Sequence, residues 1–183
     1  MKILAASDIH SSRRYCALLV EAFEREKADR LLLLGDILTP GYISRIEVAG
    51  GEDMPTMLNS LSSRIVCVRG NGDWPINEQR FDFPCMAEYA LLRLGRQTIF
   101  ATHGHRYNEH NLPPLTFDIL LHGHTHIPAW REHEGYLYLN PGSVSQPRGG
   151  SKNSYLILEE KIFTWKDLAG NTLFDYSTLQ TNQ

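Results

Sequence analysis

An α/β domain with a parallel sheet in its first half and a mixed second sheet is the fold class that the sequence predicts. Two observations carry it. In the first half, short apolar runs alternate with segments of helical period, the pattern of strands joined by crossover helices. In the second half the character changes to β-type runs separated by turn residues. The 183 residues, 42% hydrophobic and 21% charged, are ordinary for one soluble globular unit, and a single domain over residues 1–183 is expected.

Residues 2–6 form a short apolar run that reads as a buried strand. Over 14–27, Leu18, Leu19, Ala22 and Phe23 share one face of a helix, with charges elsewhere. A second apolar run, 31–34, is closed by Gly35-Asp36. The stretch 39–53 bears glycines and little pattern, so a loop over one edge is expected there. Met54, Met57, Leu58 and Leu61 recur at i, i+3, i+4 and i+7, with Pro55 tolerable in a first helical turn. Residues 65–68 give the third buried strand. Beyond it, 89–94 and 97–101 flank Gly95-Arg96 as a hairpin, and 117–121, 136–139 and 155–158 are further β candidates. A C-terminal hairpin joins 162–166 to 172–176 through "DLAGN".

Composition narrows the function. A formal charge of −3 gives no electrostatic reason to expect a nucleic-acid or anionic-membrane surface. The apolar start of "MKILAASDIH" is too short for a signal-peptide core or a membrane span. Cys16, Cys67 and Cys85 form no CxxC pair and suit buried thiols in a reducing cytoplasm, the expected location. Tyr42, Trp130 and Tyr136 are apolar side chains available to a homo-oligomer interface.

The polar residues are informative by position. The first three strands end in Asp8-Ile-His10, Asp36 and Asn71. In a parallel sheet these carboxyl ends share one edge, where α/β proteins place their sites. Two later β candidates are followed by "THGH" (His103, His105) and "HGHTH" (His122, His124, His126), so five of the eight histidines sit in two short clusters. Singly, these are ordinary helix caps, turns and loop residues. Together they make a mixed oxygen and nitrogen set that suits two divalent cations with one carboxylate shared; it fits Mn²⁺, Fe or Zn²⁺ without choosing. "GNGDWP" lacks the third glycine of a dinucleotide fingerprint, and neither a G-x-S-x-G elbow nor a Walker-type loop is present.

The ordered motifs D-x-H (8–10), G-D (35–36), G-N-x-D (70–73), H-G-H (103–105) and G-H-T-H (123–126), with "NPGS" at 140–143, resemble those of the calcineurin-like metallophosphoesterase superfamily over nearly the whole chain. "RGNGD", "THGH" and "GHTHIP" in so short a chain are most similar to its small YfcE-type phosphodiesterases. The resemblance implies a four-layer αββα sandwich of two mostly mixed β-sheets, with a dinuclear site at one edge. It implies Asp8, His10 and His126 on one metal, Asn71, His103 and His124 on the other, and Asp36 bridging both. It also implies hydrolysis of a small phosphodiester by a hydroxide bridging two divalent ions, manganese foremost, with iron, zinc or nickel as alternatives.

Several residues sharpen that expectation. If "GHTH" is nearly extended, His124 and His126 face one side and can reach two neighbouring ions. Asp73 is a candidate to orient the imidazoles, and His122 is expected to be packed. Larger superfamily members carry a histidine, the proposed leaving-group acid, where this chain has Gly72. Its absence favours leaving groups of low pKa, with His105 or a water on the second metal as the substitute acid, and a hydrogen bond within the site as the other role open to His105. Ser11, where the family often has glycine, is expected to cap the first helix. Arg13, Arg14, Arg69, Arg106 and Arg148 lie near the motifs, with Arg69 first choice to meet an anionic substrate. The alternatives are a phosphomonoesterase of the same superfamily and a non-catalytic protein-binding scaffold like the related retromer subunit.

Overall fold

The computed structural model describes residues 1–38 and 53–178. The expected loop at 39–53 therefore lies outside the described residues, apart from Asp53, and so does Tyr42. Two sheets pack face to face. Strand β1 (Ile3–Ala6) runs parallel to β2 (Arg30–Leu33), which runs parallel to β3 (Ile65–Cys67). On the other side of β1 lies an antiparallel meander of β9 (Ser154–Glu159), β10 (Ile162–Asp167) and β11 (Thr172–Ser177). This sheet has six strands in the order β11-β10-β9-β1-β2-β3.

The second sheet contains β4 (Tyr89–Leu94), β5 (Gln97–Thr102), β6 (Ile119–His122), β7 (Pro128–His133) and β8 (Tyr136–Pro141), in the order β4-β5-β6-β8-β7. Its central strands β5, β6 and β8 are parallel, with antiparallel β4 and β7 at the edges. Strand β7 was not anticipated. Pro128 at its start and the charged run Arg131-Glu132-His133 mask it, and both features belong to an edge strand.

Between the sheets, Ile3, Ala5, Leu32 and Leu34 meet Ile99, Ala101, Ile119 and Leu121, with Phe163 and Trp165 filling the flank. Helices α1 (Arg13–Glu26) and α2 (Met54–Asn59) cover the outer face of the six-stranded sheet, burying Cys16, Leu19, Phe23, Met54 and Leu58 against Leu4, Leu31 and Ile157. Asp53 caps α2 by accepting from Thr56 N–H at 2.9 Å. Ser12, not Ser11, precedes α1. Ser11 sits at φ 58° with its N–H donating to Ile37 O at 2.9 Å, so its backbone joins the turns that follow β1 and β2.

The outer face of the five-stranded sheet is covered differently. Among the described residues its fourth layer is the segment 103–118, which lays Tyr107 and Phe117 over Phe100, Leu120 and Tyr138 without an α-helix. Pro113-Pro114 and a bridge between Asn108 and Asn111 break that segment into turns.

Candidate metal centre

The carboxyl ends of β1, β2, β3, β5 and β6 gather where the two sheets meet. The backbone that leaves them is unusual. Seven described non-glycine residues have positive φ, and five are predicted site residues: Asp8 (59°), His10 (47°), Asp36 (51°), His124 (64°) and His126 (63°). Each such conformation costs about 1–3 kcal/mol and persists only where surrounding structure enforces it. "GHTH" is thus not the extended chain that spacing suggested. Left-handed residues at 124 and 126 turn the two imidazoles inward, and a tight contact from Thr125 N–H to Gly123 O (2.7 Å) holds the bend.

The backbone supplies much of that enforcement. Asp8 N–H donates to Gly35 O at 3.1 Å and His10 N–H to Asp36 O at 2.9 Å, extending the β1–β2 ladder past the strand ends. Asp73 accepts from the N–H groups of Asp36 (2.7 Å), Ile37 (2.9 Å), Leu38 (3.1 Å) and Gly70 (2.8 Å). It therefore braces the backbone that carries Asp36, and no described contact links it to an imidazole. Burial raises the Asp73 carboxyl above its ordinary value, with the Gly70 and Leu38 N–H groups pulling it down and Asp36 adding to the rise. Glycine at 70 is required by contact, since a Cβ there would lie 2.1 Å from Asp36 Oδ1. Gly72 N–H donates to the same oxygen at 2.6 Å.

These constraints converge seven donors. Asp8 Oδ1 is fully buried and, among the described residues, meets no donor in hydrogen-bond geometry, with His126 Nε2 at 3.3 Å and His10 Nε2 at 3.6 Å. Asp36 Oδ2 stands between the halves of the site, 3.8 Å from His10 Nε2 and 3.6 Å from His103 Nε2. His103 Nε2 in turn lies 3.1 Å from Asn71 Oδ1 and 3.2 Å from His124 Nδ1. Two groups of three, Asp8/His10/His126 and Asp8/Asp36/His103, each hold ligand atoms within 4.8 Å of one another. Asp8, Asp36, His103 and His126 form a buried floor, whereas Asn71 and His124 are exposed at the mouth.

The tautomers test whether a cation suits this floor. His103 Nδ1 lies 2.7 Å from Leu34 O and His126 Nδ1 lies 2.6 Å from Gln146 O; a carbonyl only accepts, so each Nδ1 carries the proton. In the neutral rings both Nε2 lone pairs then point at other acceptors, at Asn71 Oδ1 and at the orphaned Asp8 Oδ1. Acceptors facing acceptors suit a cation among them. Burial lifts the Asp8 carboxyl, but His10 and His126 more than offset it and hold it below the usual range. Asp8 raises His126 correspondingly, against burial, whereas burial and then His103 lower His124. The floor favours positive charge beside Asp8.

The remaining predicted residues surround this cluster. His105 packs its ring 5.4 Å from that of His103; its buried Nδ1 has no hydrogen-bond partner among the described residues, and burial followed by His103 lowers its pKa. Arg69 pairs with Glu88 at 3.3 Å, and Arg106 reaches the same carboxylate at 3.9 Å. Glu88 thus joins two of the arginines, a role that nothing in its sequence context signals. Arg13 and Arg14 are exposed at the start of α1, while Arg148 contributes its N–H to His126 O at 3.1 Å. His122 is packed against Tyr138 with ring centroids 4.7 Å apart, and burial pushes its pKa down to about 4.

Comparison with known proteins identifies relatives of this chain. The calcineurin-like phosphoesterase superfamily domain matches residues 1–161. The chain is 35% identical over 166 residues to phosphodiesterase YfcE of Escherichia coli K12, covering 90% of each. The structure of YfcE, a phosphoesterase from E. coli, superposes with a TM-score of 0.85 at 33% identity, covering 97% of this chain and 99% of that one. Vacuolar protein sorting 29 from Cryptosporidium parvum shares the fold, with a TM-score of 0.63 at 20% identity over 97% and 98% of the two chains.

Proposed function

This chain belongs to the calcineurin-like phosphoesterase superfamily, and from that premise we propose that it is a dinuclear metal-dependent phosphodiesterase acting on a small phosphodiester. The observation that carries the reading is the buried, donorless Asp8 Oδ1 within a ring of inward-turned imidazoles. Asp8, His10 and His126 would hold one ion, and Asn71, His103 and His124 the other, with Asp36 shared. Two divalent cations, manganese foremost and iron, zinc or nickel as alternatives, would supply an activated water and offset charge on the phosphate oxygens.

The chain's own residues supply orientation. The Leu34 and Gln146 carbonyls keep the proton on Nδ1 of His103 and His126, so that Nε2 faces the reacting centre. Arg69, beside Asn71, meets the anionic substrate, and Glu88 fixes its direction. Gly72 offers no acid, so the reaction favours leaving groups that depart as weak bases. His105 is the proton donor for the rest. Burial, followed by His103, lowers its pKa, which favours the neutral ring and limits its contribution. The E. coli relative's phosphodiesterase activity supports diesters over monoesters. Retention of donors at all seven positions supports catalysis over a scaffold role of the vacuolar-sorting kind. Among the described residues no helix is long and apolar enough to cross a membrane.

The test is hydrolysis of bis(p-nitrophenyl) phosphate against p-nitrophenyl phosphate, with and without Mn²⁺, alongside metal analysis. Mn²⁺-dependent turnover favouring the diester is expected, abolished by Asp36→Asn. Protein that binds no metal and stays inactive after Mn²⁺ addition overturns the reading; a preference for the monoester turns it toward a phosphomonoesterase.

A further inference from the structure

Asn140 opens the "NPGS" stretch at the end of β8, contributes no donor to the metal cluster, and is completely buried. Its Nδ2 lies 2.9 Å from Gly123 O, 3.0 Å from Thr125 Oγ1 and 3.0 Å from Tyr138 OH, while its Oδ1 accepts from Gly142 N–H at 2.9 Å. Gly123 precedes His124, and Thr125 stands between His124 and His126. One amide therefore grips the chain on both sides of the first left-handed histidine and directly before the second. Thr125 Oγ1 passes the grip onward by accepting from Ile127 N–H at 3.3 Å.

The residues that follow tie the same stretch to the other half of the site. Ser143 Oγ and Ser145 Oγ donate to Asp8 O at 2.9 and 3.0 Å. Gln146 N–H donates to Ser143 Oγ at 2.9 Å, and Gln146 O accepts from His126 Nδ1 at 2.6 Å. A segment outside the cluster thus fixes ligand-bearing backbone on both β1 and β6.

We propose that Asn140 is the positioning residue that holds His124 and His126 in their left-handed conformations, and so sets both metal sites at once. Its effect on the ions rests on the two-metal reading above. Its effect on the backbone does not. Replacing one ligand, such as His126, removes donors from one ion. Loss of the Asn140 grip loosens one donor to each ion, so both sites weaken together.

The test uses the full chain with Mn²⁺ as probe. Isothermal titration gives stoichiometry and the two affinities, electron paramagnetic resonance reads exchange coupling within a Mn²⁺ pair, and ¹³Cα shifts of His124 and His126 in metal-free protein report their backbone. Asn140→Asp is nearly isosteric and keeps the acceptor for Gly142 but loses the donor to Gly123 and Thr125. It is expected to weaken both ions by about tenfold or more, to abolish the coupled signal, and to move both ¹³Cα shifts. Tyr138→Phe removes a partner of the same amide away from the histidine loop. It is expected to lower Tm while leaving both ions, the coupled signal and the shifts as in wild type. Wild-type affinities, spectrum and shifts in Asn140→Asp overturn the proposal, as does Tyr138→Phe disturbing the metals equally. If Asn140→Asp does not fold, Thr125→Val decides: about threefold weakening of both ions supports the proposal, and unchanged affinity overturns it. A wild-type protein binding fewer than two ions sinks the two-metal reading, and the ¹³Cα shifts alone then decide the role of Asn140.

Discussion

The two sheets of this sandwich contribute opposite chemistry to one edge. The six-stranded sheet ends in every oxygen donor, Asp8, Asp36 and Asn71, and one imidazole, His10; the five-stranded sheet ends in imidazoles alone, His103, His124 and His126. Even the carbonyl that orients His103 belongs to Leu34 in the facing sheet. Neither sheet can assemble a site by itself, so the donor set exists only when the inter-sheet core is packed. The difference also extends to how each half is held. The oxygen side is locked mainly by backbone ladders and by Asp73, with Ser143 and Ser145 added at Asp8 O, whereas the nitrogen side relies on ring-to-carbonyl contacts and on Asn140.

The largest effects should fall on the oxygen side. Asp36 Oδ2 is near imidazoles from both sheets, so Asp36→Asn is expected to lower kcat/KM by about a thousandfold and to reduce bound Mn²⁺. On the two-metal reading, His124→Ala removes an exposed donor from one ion only and should cost about a hundredfold. Steady-state kinetics with metal analysis ranks the two; a histidine loss exceeding the Asp36 loss would break the asymmetry. Next comes Asp73→Asn. Its carboxylate serves four backbone N–H groups, and an amide can present only one acceptor oxygen to them. A loss of about 2–4 kcal/mol in urea denaturation is expected, with activity down about tenfold to a hundredfold. Unchanged stability would show that the backbone ladder holds Asp36 without the brace.

The sequence exposes this asymmetry unevenly. Strand ends and donor types could be read directly, because buried parallel strands are continuous apolar runs and Asp8, Asp36, Asn71, His103 and His124 each follow one. The backbone that aims the donors could not. Positive φ at Asp8, His10, Asp36, His124 and His126 arises from contacts between segments far apart in the chain, and residue type alone does not reveal it. The same is true of the bracing by Asp73 and Asn140, which appears only when their partners at 36–38 and 123–125 are in place. Strand β7 was hidden because an edge strand with a charged face lacks the apolar run that marks its neighbours.

The outer covers offer a gentler test of the same contrast. Glu26 at the end of α1 accepts from Lys166 Nζ at 2.8 Å and Tyr155 OH at 2.9 Å, anchoring the helix to the six-stranded sheet. Glu109 accepts from Arg131 and from His133 Nε2 at 2.7 Å, anchoring the 103–118 segment to the five-stranded sheet. Burial raises both carboxyls, but Lys166 and Tyr155 in one case, and Arg131 and His133 in the other, bring each below its ordinary pKa. A depressed folded pKa adds stability above the ordinary glutamate range, and that stability is lost as pH falls through the folded value. The partners differ in exposure: the Lys166 side chain is 21% exposed and that of Arg131 54%, so solvent screens the second anchor more. Glu26→Gln should therefore cost about 1–2 kcal/mol at neutral pH and Glu109→Gln about 0.5 kcal/mol. Both differences should begin to shrink as pH falls below the ordinary glutamate range and approach zero below each lowered folded value. Equal losses would mean that the aromatic segment is pinned as firmly as the helix, and that the two covers differ in shape but not in strength.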